Sequence, residues 1–212
     1  MVAPVETVAP APVRRLGILG GTFDPIHHGH LLAAEEAFHQ LALDRVLFVP
    51  AGLPPHKPAR PISSADHRVR MVELAITGKP HFALSRVDVD RPGPSYTVDT
   101  LELLRARWGP GLRIFFIEGN DSLSDIACWY QPQRLIELCD LAVVARPGSQ
   151  IDLPELEHRL PGITERIHWV QIPLLQISSS DLRVRVRAGR SISYLVPREV
   201  EDHIRRHGLY RD

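Results

Sequence analysis

Apolar residues along the chain alternate between short continuous runs and helical repeats. Residues 15–20 form a short apolar run that ends in glycine, which is typical of a buried strand. From about residue 28 to residue 43, apolar side chains recur at helical spacing: Leu31, Ala34, Phe38 and Leu41. Residues 45–52 are nearly continuous in apolar residues and predict a second buried strand. A strand, a helix and a strand with short connections predict a βαβ unit with parallel strands.

Helix-capping residues mark two further helices in the middle of the chain. Ser63 and Asp66 form an approximate capping box before a helix that reaches about Thr77. Ser95 or Thr97 is the expected N-cap of the next helix. Four apolar or alternating segments predict the remaining strands: 81–89, 112–119, 140–148 and 167–173.

Capping residues in the last third of the chain predict two helices. Residues 178–189 begin with serines and end at a glycine, and residues 197–208 begin with proline and end at a glycine. The alternating strands and helices together predict one doubly wound, Rossmann-like α/β domain over residues 14–212. Its parallel sheet is followed by a C-terminal helical extension over about 178–210.

Composition and charge narrow the class of protein. The chain has 212 residues, 44% of them hydrophobic, which suffices for one sizeable core. Lysine and arginine together number 25 and are balanced by 25 acidic residues, so a nucleic-acid partner is not expected. A small anionic ligand needs only a few local donors and is compatible with this balance.

The N-terminus and the cysteines indicate a cytoplasmic protein. Residues 1–13 are rich in Pro, Ala and Val and lack a basic start, so we expect a flexible tail rather than a signal peptide. No later segment approaches the roughly 20 apolar residues of a membrane helix, and no membrane partner is expected. Cys128 and Cys139 form no CxxC pair and are expected to be reduced.

The densest chemical signal is the histidine-rich turn GGTFDPIHHGH, residues 20–30. The first predicted strand ends at Gly20 and Gly21, and its helix begins near the histidines. Ligands of open α/β sheets bind beyond the carboxyl ends of the strands, where free amides at a helix N-terminus form a seat for phosphate. Neither a Walker A loop nor a GxGxxG fingerprint is present, which favours a mononucleotide over a dinucleotide.

His27 and His30 allow three interpretations besides phosphate binding. They supply two of the three or four ligands that a zinc site needs, and no cysteine or HExxH partner is apparent. A histidine-activated serine would need a nucleophile elbow such as GxSxG, which is absent. Surface histidines are the plain alternative. However, a pair spaced i, i+3 in the first turn of a helix projects from one face, beside the phosphate seat.

A second phosphate-binding element is predicted at ISSSDLR, residues 177–183. Ser178 to Ser180 lie at a helix N-terminus with free amides and hydroxyls, and Arg183 follows within a turn. Taken alone, the segment also fits an ordinary serine N-cap followed by an exposed arginine. Transfer of a phosphate group needs more positive charge around the reacting phosphates than two imidazoles supply, which favours the functional interpretation.

The histidine-rich turn closely resembles the GxFDPxHxGH signature of the nucleotidyltransferase superfamily. His27 and His30 match its HxGH pair, and His28 is at the variable position. Residues 177–183 are similar to the superfamily's ISSTxIR element, with serine and leucine in place of threonine and isoleucine. The segments PPHK, PGPSYTVDTL and DIACWYQP resemble the nicotinate-mononucleotide adenylyltransferase family in particular. The resemblance runs from about residue 15 to residue 210.

This resemblance implies an enzyme of NAD biosynthesis that transfers AMP from ATP to nicotinate mononucleotide and releases pyrophosphate. It implies catalytic roles for His27, His30 and Arg183. The implied ATP-binding residues are Gly20, Gly21, Thr22, Phe23, His27, His30, Gly119, Asp121, Ser178, Ser179 and Arg183. The implied residues of the acceptor site are His56, Lys57, Tyr96, Thr97 and Trp129. Mg²⁺ is expected to be held mainly by the substrate phosphates, with no dedicated protein ligands.

Other interpretations of these stretches stay open. His56 and Lys57 also fit a plain polar loop, and Trp129 also fits a core position. Tyr96 and Thr97 also fit a simple helix cap. The alternative activities are adenylyl transfer to nicotinamide mononucleotide or to phosphopantetheine, and binding of a nucleotide without catalysis. The sequence makes no prediction of oligomeric state.

Overall fold

The core of the protein is one six-stranded sheet. The structure is a computed structural model that describes residues 13–54, 62–109, 111–145, 151–173 and 175–211. The strands are Arg15–Gly21 (β1), Arg45–Pro50 (β2), Phe82–Leu84 (β3), Arg113–Gly119 (β4), Asp140–Ala145 (β5) and Ile167–Gln171 (β6). Their order is β3-β2-β1-β4-β5-β6, and every neighbouring pair is parallel. This order confirms the predicted doubly wound sheet, whose crevice opens between β1 and β4.

Both faces of the sheet are buried, which explains why the strand sequences are almost continuously apolar. Successive strand residues point to opposite faces, so two hydrophobic clusters form. Ile18 of β1 lies with its register partner Leu47 of β2 in one cluster. Leu19 and its partner Phe48 lie in the other.

Helices cover the two faces in separate groups. Among the described residues they are His28–Gln40 (α1), Ala65–Ile76 (α2), Thr97–Trp108 (α3), Asn120–Asp125 (α4), Pro132–Leu138 (α5), Leu153–Arg159 (α6), Ser179–Arg187 (α7) and Arg198–Arg206 (α8). The buried side chains of α1, α2, α7 and α8 pack on one face, and those of α3, α4, α5 and α6 pack on the other. None of these helices is long and apolar enough to span a bilayer.

Most predicted elements are confirmed, but several boundaries differ. Helix α1 ends at Gln40 rather than near Leu43 because Ala42 has a left-handed backbone, φ 46°. Strand β3 covers three residues rather than 81–89, because the chain turns away directly after it. Residues 1–12 of the predicted tail lie outside the described residues.

The predicted caps of two helices are wrong. The N-cap of α2 is Ser64, whose hydroxyl accepts from the His67 amide at 3.4 Å. The N-cap of α3 is Tyr96, because the Ser95 hydroxyl instead accepts from the Gly52 amide at 2.9 Å. Ser95 thus ties the start of α3 to the loop after β2.

Helix α6 has no counterpart among the sequence predictions. Its N-cap Asp152 accepts from the Glu155 amide at 3.0 Å, and a proline follows in the first turn. That capping pattern is the local signal that would have identified it.

Candidate active site

The histidine-rich turn connects the carboxyl end of β1 to the N-terminus of α1. His27 is the N-cap of α1, with an extended backbone and a side chain that is 5% exposed. The His27 amide donates to Nδ1 of His30 over 3.2 Å, and the two rings stack with centroids 3.7 Å apart. The backbone of the turn therefore holds the two imidazoles together on one face of α1, at the end of the sheet where ligands bind.

Two neighbours restrict the positions of these rings. Phe23 has a left-handed backbone, φ 51°, and its buried ring meets His30 edge-to-face at 5.1 Å. Gly29 lies against His27, so that a Cβ on Gly29 would come 3.0 Å from Nδ1 of the imidazole. A methyl group there would fit only if the imidazole shifted by a few tenths of an ångström.

Replacing Gly29 by alanine should lower turnover about tenfold without lowering stability. The methyl group shifts the His27 ring, for which the sequence resemblance implies a catalytic role, whereas alanine is favoured over glycine within a helix by about 1 kcal/mol. Steady-state kinetics and a thermal melt of one preparation measure both effects. Gly111→Ala is the matched control, because a Cβ there meets nothing within 4 Å. Full turnover of the Gly29 variant would show that the ring position does not matter.

Helix α7 is fastened to the same turn from the opposite side. Ser178 is its N-cap, and the hydroxyl of Ser179 donates to the carbonyl oxygen of Pro25 at 2.9 Å. Nη1 of Arg183 donates to the carbonyl oxygen of Asp24 at 2.6 Å. The positive end of the helix and a guanidinium therefore face the histidine-rich turn, which is a favourable environment for phosphate.

A cavity of about 430 Å³ opens between these two elements and the end of β4. This volume is within the usual range for nucleotide and cofactor sites. It brings together residues that are more than 150 positions apart in the chain. The predicted ATP-binding residues that line it are Gly21, Thr22, Phe23, His27, His30, Gly119, Ser178, Ser179 and Arg183.

Two predicted ATP-binding residues lie elsewhere. Gly20 lines a neighbouring pocket, and Asp121 is exposed in the first turn of α4, outside the lining of both pockets. His28 also lies outside the lining of the cavity, and its amide donates to the carbonyl oxygen of Leu195 at 3.1 Å. The structure thus separates His28 from the other two histidines of the turn.

The neighbouring pocket, of about 150 Å³, lies on the face of the sheet that α3 covers. Gly21 lines both this pocket and the larger cavity, so the two meet at the end of β1. Thr97 and Trp129 line it as well, and the indole meets Phe116 edge-to-face at 6.0 Å. An aromatic wall thus stands next to the N-terminus of a helix, as a flat anionic ring would require.

The remaining predicted residues of the acceptor site lie outside the lining of this pocket or outside the described residues. Tyr96, the N-cap of α3, stacks on Tyr130 with ring centroids 4.3 Å apart. His56 and Lys57 fall in residues 55–61, which the structure does not describe.

Asp88 is a buried pocket residue that the sequence did not reveal. It accepts from the Thr100 hydroxyl at 2.7 Å and from Nε of Arg91 at 3.0 Å. Burial raises the pKa of this carboxyl, and the two donors oppose that effect. Arg91 also donates to the carbonyl oxygen of Pro94, so the pair supports the loop that precedes Tyr96.

Arg68 is the second residue that sequence reasoning missed. Its guanidinium is 2% exposed and donates to the carbonyl oxygens of Thr22, Ala51 and Ser63. Burial lowers the pKa of Arg68, and the nearby Asp24 carboxylate opposes that shift. The available signal was an arginine next to the buried stripe of an amphipathic helix, where an apolar residue is the rule.

The fold and this site together define a nucleotide-binding α/β protein of the nucleotidyltransferase class. The chain belongs to the cytidylyltransferase-like family, whose model matches residues 18–185. A protein of Thermomicrobium roseum is 54% identical over 93% of this chain and 92% of its own length. A protein of Thermus thermophilus is 48% identical over 93% of this chain and 100% of its own. Each is named as a probable nicotinate-nucleotide adenylyltransferase.

The fold also matches solved structures. The nicotinic acid mononucleotide adenylyltransferase of Plasmodium falciparum, solved in complex with NaAD, superimposes with a TM-score of 0.76. The match covers 93% of this chain and 97% of that one at 20% identity, and it therefore concerns the fold alone.

Proposed function

We propose that the protein transfers AMP from ATP to nicotinate mononucleotide, giving nicotinate adenine dinucleotide and pyrophosphate, a step of NAD biosynthesis. The observation that carries this proposal is the pair of adjoining pockets at the end of β1. One pocket joins His27 and His30 to Arg183 and a serine-rich helix N-terminus, and the other presents Trp129. The names of the relatives at 42–54% identity support the same activity.

The reaction is a single displacement at the α-phosphorus of ATP. A phosphate oxygen of the acceptor forms the new bond, the bond from the α-phosphorus to the bridging oxygen breaks, and pyrophosphate leaves with that electron pair. The protein supplies no base, because the attacking oxygen is already an anion. His27, His30 and Arg183 donate to the phosphate oxygens as negative charge spreads towards the leaving group. The adjoining pockets hold the reactants in line.

Magnesium fits this site as part of the substrate. No group of three or more His, Cys, Asp or Glu side chains in the described part of the chain is arranged to hold a metal ion. Mg²⁺ prefers oxygen ligands and keeps several waters, so the triphosphate itself is its natural ligand. When bound there, it would neutralise phosphate charge and so add to the donors that the imidazoles and the guanidinium provide.

The smaller pocket would bind the pyridine ring of the acceptor. Trp129 provides a flat face for stacking, and the amides at the start of α3, next to Tyr96 and Thr97, suit the ring carboxylate. We assign His56 and Lys57, which follow β2 in the sequence, to the phosphate of the acceptor. ATP and nicotinate mononucleotide are then the two partners of the enzyme.

The protein acts in the cytoplasm, in keeping with the free thiols of Cys128 and Cys139.

Replacing Trp129 by alanine should raise KM for nicotinate mononucleotide about tenfold and leave KM for ATP within twofold. Stacking of an aromatic ring on an indole contributes about 1–3 kcal/mol, and the ATP cavity does not include this residue. Initial rates at varied concentrations of each substrate measure the two constants. Trp169→Ala on the edge strand β6, 42% exposed, serves as the control. Equal changes in both constants would contradict the assignment of Trp129.

The direct test of the proposed activity is incubation of the purified protein with ATP, Mg²⁺ and nicotinate mononucleotide. Mass spectrometry of the products should detect nicotinate adenine dinucleotide, and an enzyme-coupled assay should detect pyrophosphate in equal amount. Parallel reactions with phosphopantetheine should yield neither product. Binding of ATP without any product would leave a nucleotide-binding protein that is not an enzyme and would overturn the proposal.

A further inference from the structure

The buried carboxylate of Asp24 connects three distant parts of the chain. Asp24 lies in the histidine-rich turn and is 3% exposed. Its Oδ1 accepts from the hydroxyl of Tyr210 at 2.7 Å, and its Oδ2 accepts from the amide of Ser63 at 3.3 Å. Its carbonyl oxygen accepts from Arg183 at 2.6 Å. One residue thus links a tyrosine at the C-terminus to the arginine that we assign to the phosphates.

The surroundings make this carboxylate depend on its donors. Arg68 is the neighbouring buried cation, but its guanidinium donates to carbonyl oxygens, including that of Thr22 in the same turn. A buried carboxylate needs hydrogen-bond donors, because desolvation without them is costly. Of the two hydrogen bonds that described residues donate to the Asp24 carboxylate, the one from the hydroxyl of Tyr210 is the shorter.

Tyr210 is built into its position rather than resting on the surface. It follows α8, is half-buried, and packs against the hydrophobic cluster that also contains Met71. Its backbone is left-handed, φ 67°, a conformation that is unfavourable for tyrosine. Burial, together with the Asp24 carboxylate, raises the pKa of the phenol, so that it stays a hydrogen-bond donor at neutral and moderately alkaline pH.

We propose that Tyr210 is a positioning residue for the phosphate end of the ATP site. Its hydroxyl orients the carboxylate of Asp24. The backbone carbonyl oxygen of Asp24 in turn holds the guanidinium of Arg183. The C-terminal residues after α8 thereby complete the active site from the far end of the chain. This inference rests on the proposed function, which assigns Arg183 to ATP.

The test is Tyr210→Phe, which removes one oxygen and keeps the packed ring. We expect kcat/KM for ATP to fall about tenfold, because Arg183 loses its fixed orientation. KM for nicotinate mononucleotide should stay within twofold, because neither Tyr210 nor Asp24 lines the smaller pocket. Tyr194→Phe is the control, because this tyrosine is 94% exposed. A Tyr210 variant that matches the control in kcat/KM for ATP would overturn the proposal.

A double-mutant cycle with Asp24→Asn separates positioning from general destabilisation. If Tyr210 acts through Asp24, the double variant loses no more activity than Asp24→Asn alone. If the two losses multiply, the hydroxyl acts independently of Asp24 and the proposal is wrong. Calorimetric titration with ATP alone adds a measurement that needs no turnover. A several-fold weaker dissociation constant for Tyr210→Phe supports the positioning role even if the acceptor has been misassigned, and an unchanged constant contradicts it.

Discussion

Replacing His30 by alanine is expected to lower kcat at least about 100-fold while ATP still binds. The imidazole lines the cavity beside Arg183, where the proposed reaction develops negative charge on the phosphates in the transition state. Interactions that strengthen in the transition state affect turnover more than affinity, so the dissociation constant for ATP should change much less than kcat. Single-turnover kinetics and calorimetric titration with ATP measure the two quantities separately.

His28→Ala is the matched control for this experiment. His28 is the adjacent histidine of the same turn, but it lies outside the lining of the cavity and contacts Leu195 through its backbone amide. The control should retain nearly full activity. Undiminished turnover in the His30 variant, or equal losses in the two variants, would show that the catalytic site is misplaced.

The second large effect concerns Glu118, whose replacement by glutamine should stabilise the protein at alkaline pH. Glu118 lies near the end of β4, is 6% exposed, and has no hydrogen-bond partner for either carboxyl oxygen among the described residues. Burial raises the pKa of this carboxyl from 4.5 to about 8. We therefore expect Glu118 to be a neutral carboxylic acid in the folded protein at neutral pH.

The direction of the pH dependence follows from proton binding. Between about pH 4.5 and pH 8 the folded state binds one more proton at Glu118 than the unfolded state does. The free energy of unfolding therefore falls as the pH rises through this window, by about 5 kcal/mol in total. Glutamine cannot ionise, so the variant should lack this loss and exceed the unmodified protein by about that amount at pH 9.

Urea unfolding at pH 5 and pH 9 measures the effect. The two proteins should have similar free energies of unfolding at pH 5 and clearly different ones at pH 9. Glu165→Gln is the control, because Glu165 is exposed and its replacement should be neutral at both values. A parallel pH dependence of the Glu118 variant and the unmodified protein would mean that Glu118 is ionised in the folded state.

The doubly wound sheet could be predicted from sequence because its signals are local. Continuous apolar runs such as residues 45–52 indicate strands that are covered on both faces, and the helical spacing after residue 28 indicates the crossover. The turn at residues 20–30 could likewise be placed at the carboxyl end of a strand. Its chemistry was recognisable because the glycines and both histidines lie within one short segment.

Features that depend on contacts between distant segments could not be predicted. The hydroxyl of Ser95 had the pattern of a helix cap, but it bonds to the loop after β2, 43 residues away. Tyr210 and Asp24 are 186 residues apart, and neither suggests the other in the sequence. The burial of Arg68 depends on four carbonyl oxygens from three loops, which only the folded chain brings together.

The most direct test of the central claim is the rate of pyrophosphate release from ATP with nicotinate mononucleotide, compared with its amide counterpart. The pocket beside the N-terminus of α3 favours an anionic ring, so kcat/KM should be at least about tenfold higher for the acid. Pyrophosphate release that depends on the acid, with nicotinate adenine dinucleotide as product, is the expected result. No release with nicotinate mononucleotide, or a clear preference for the amide, would contradict it.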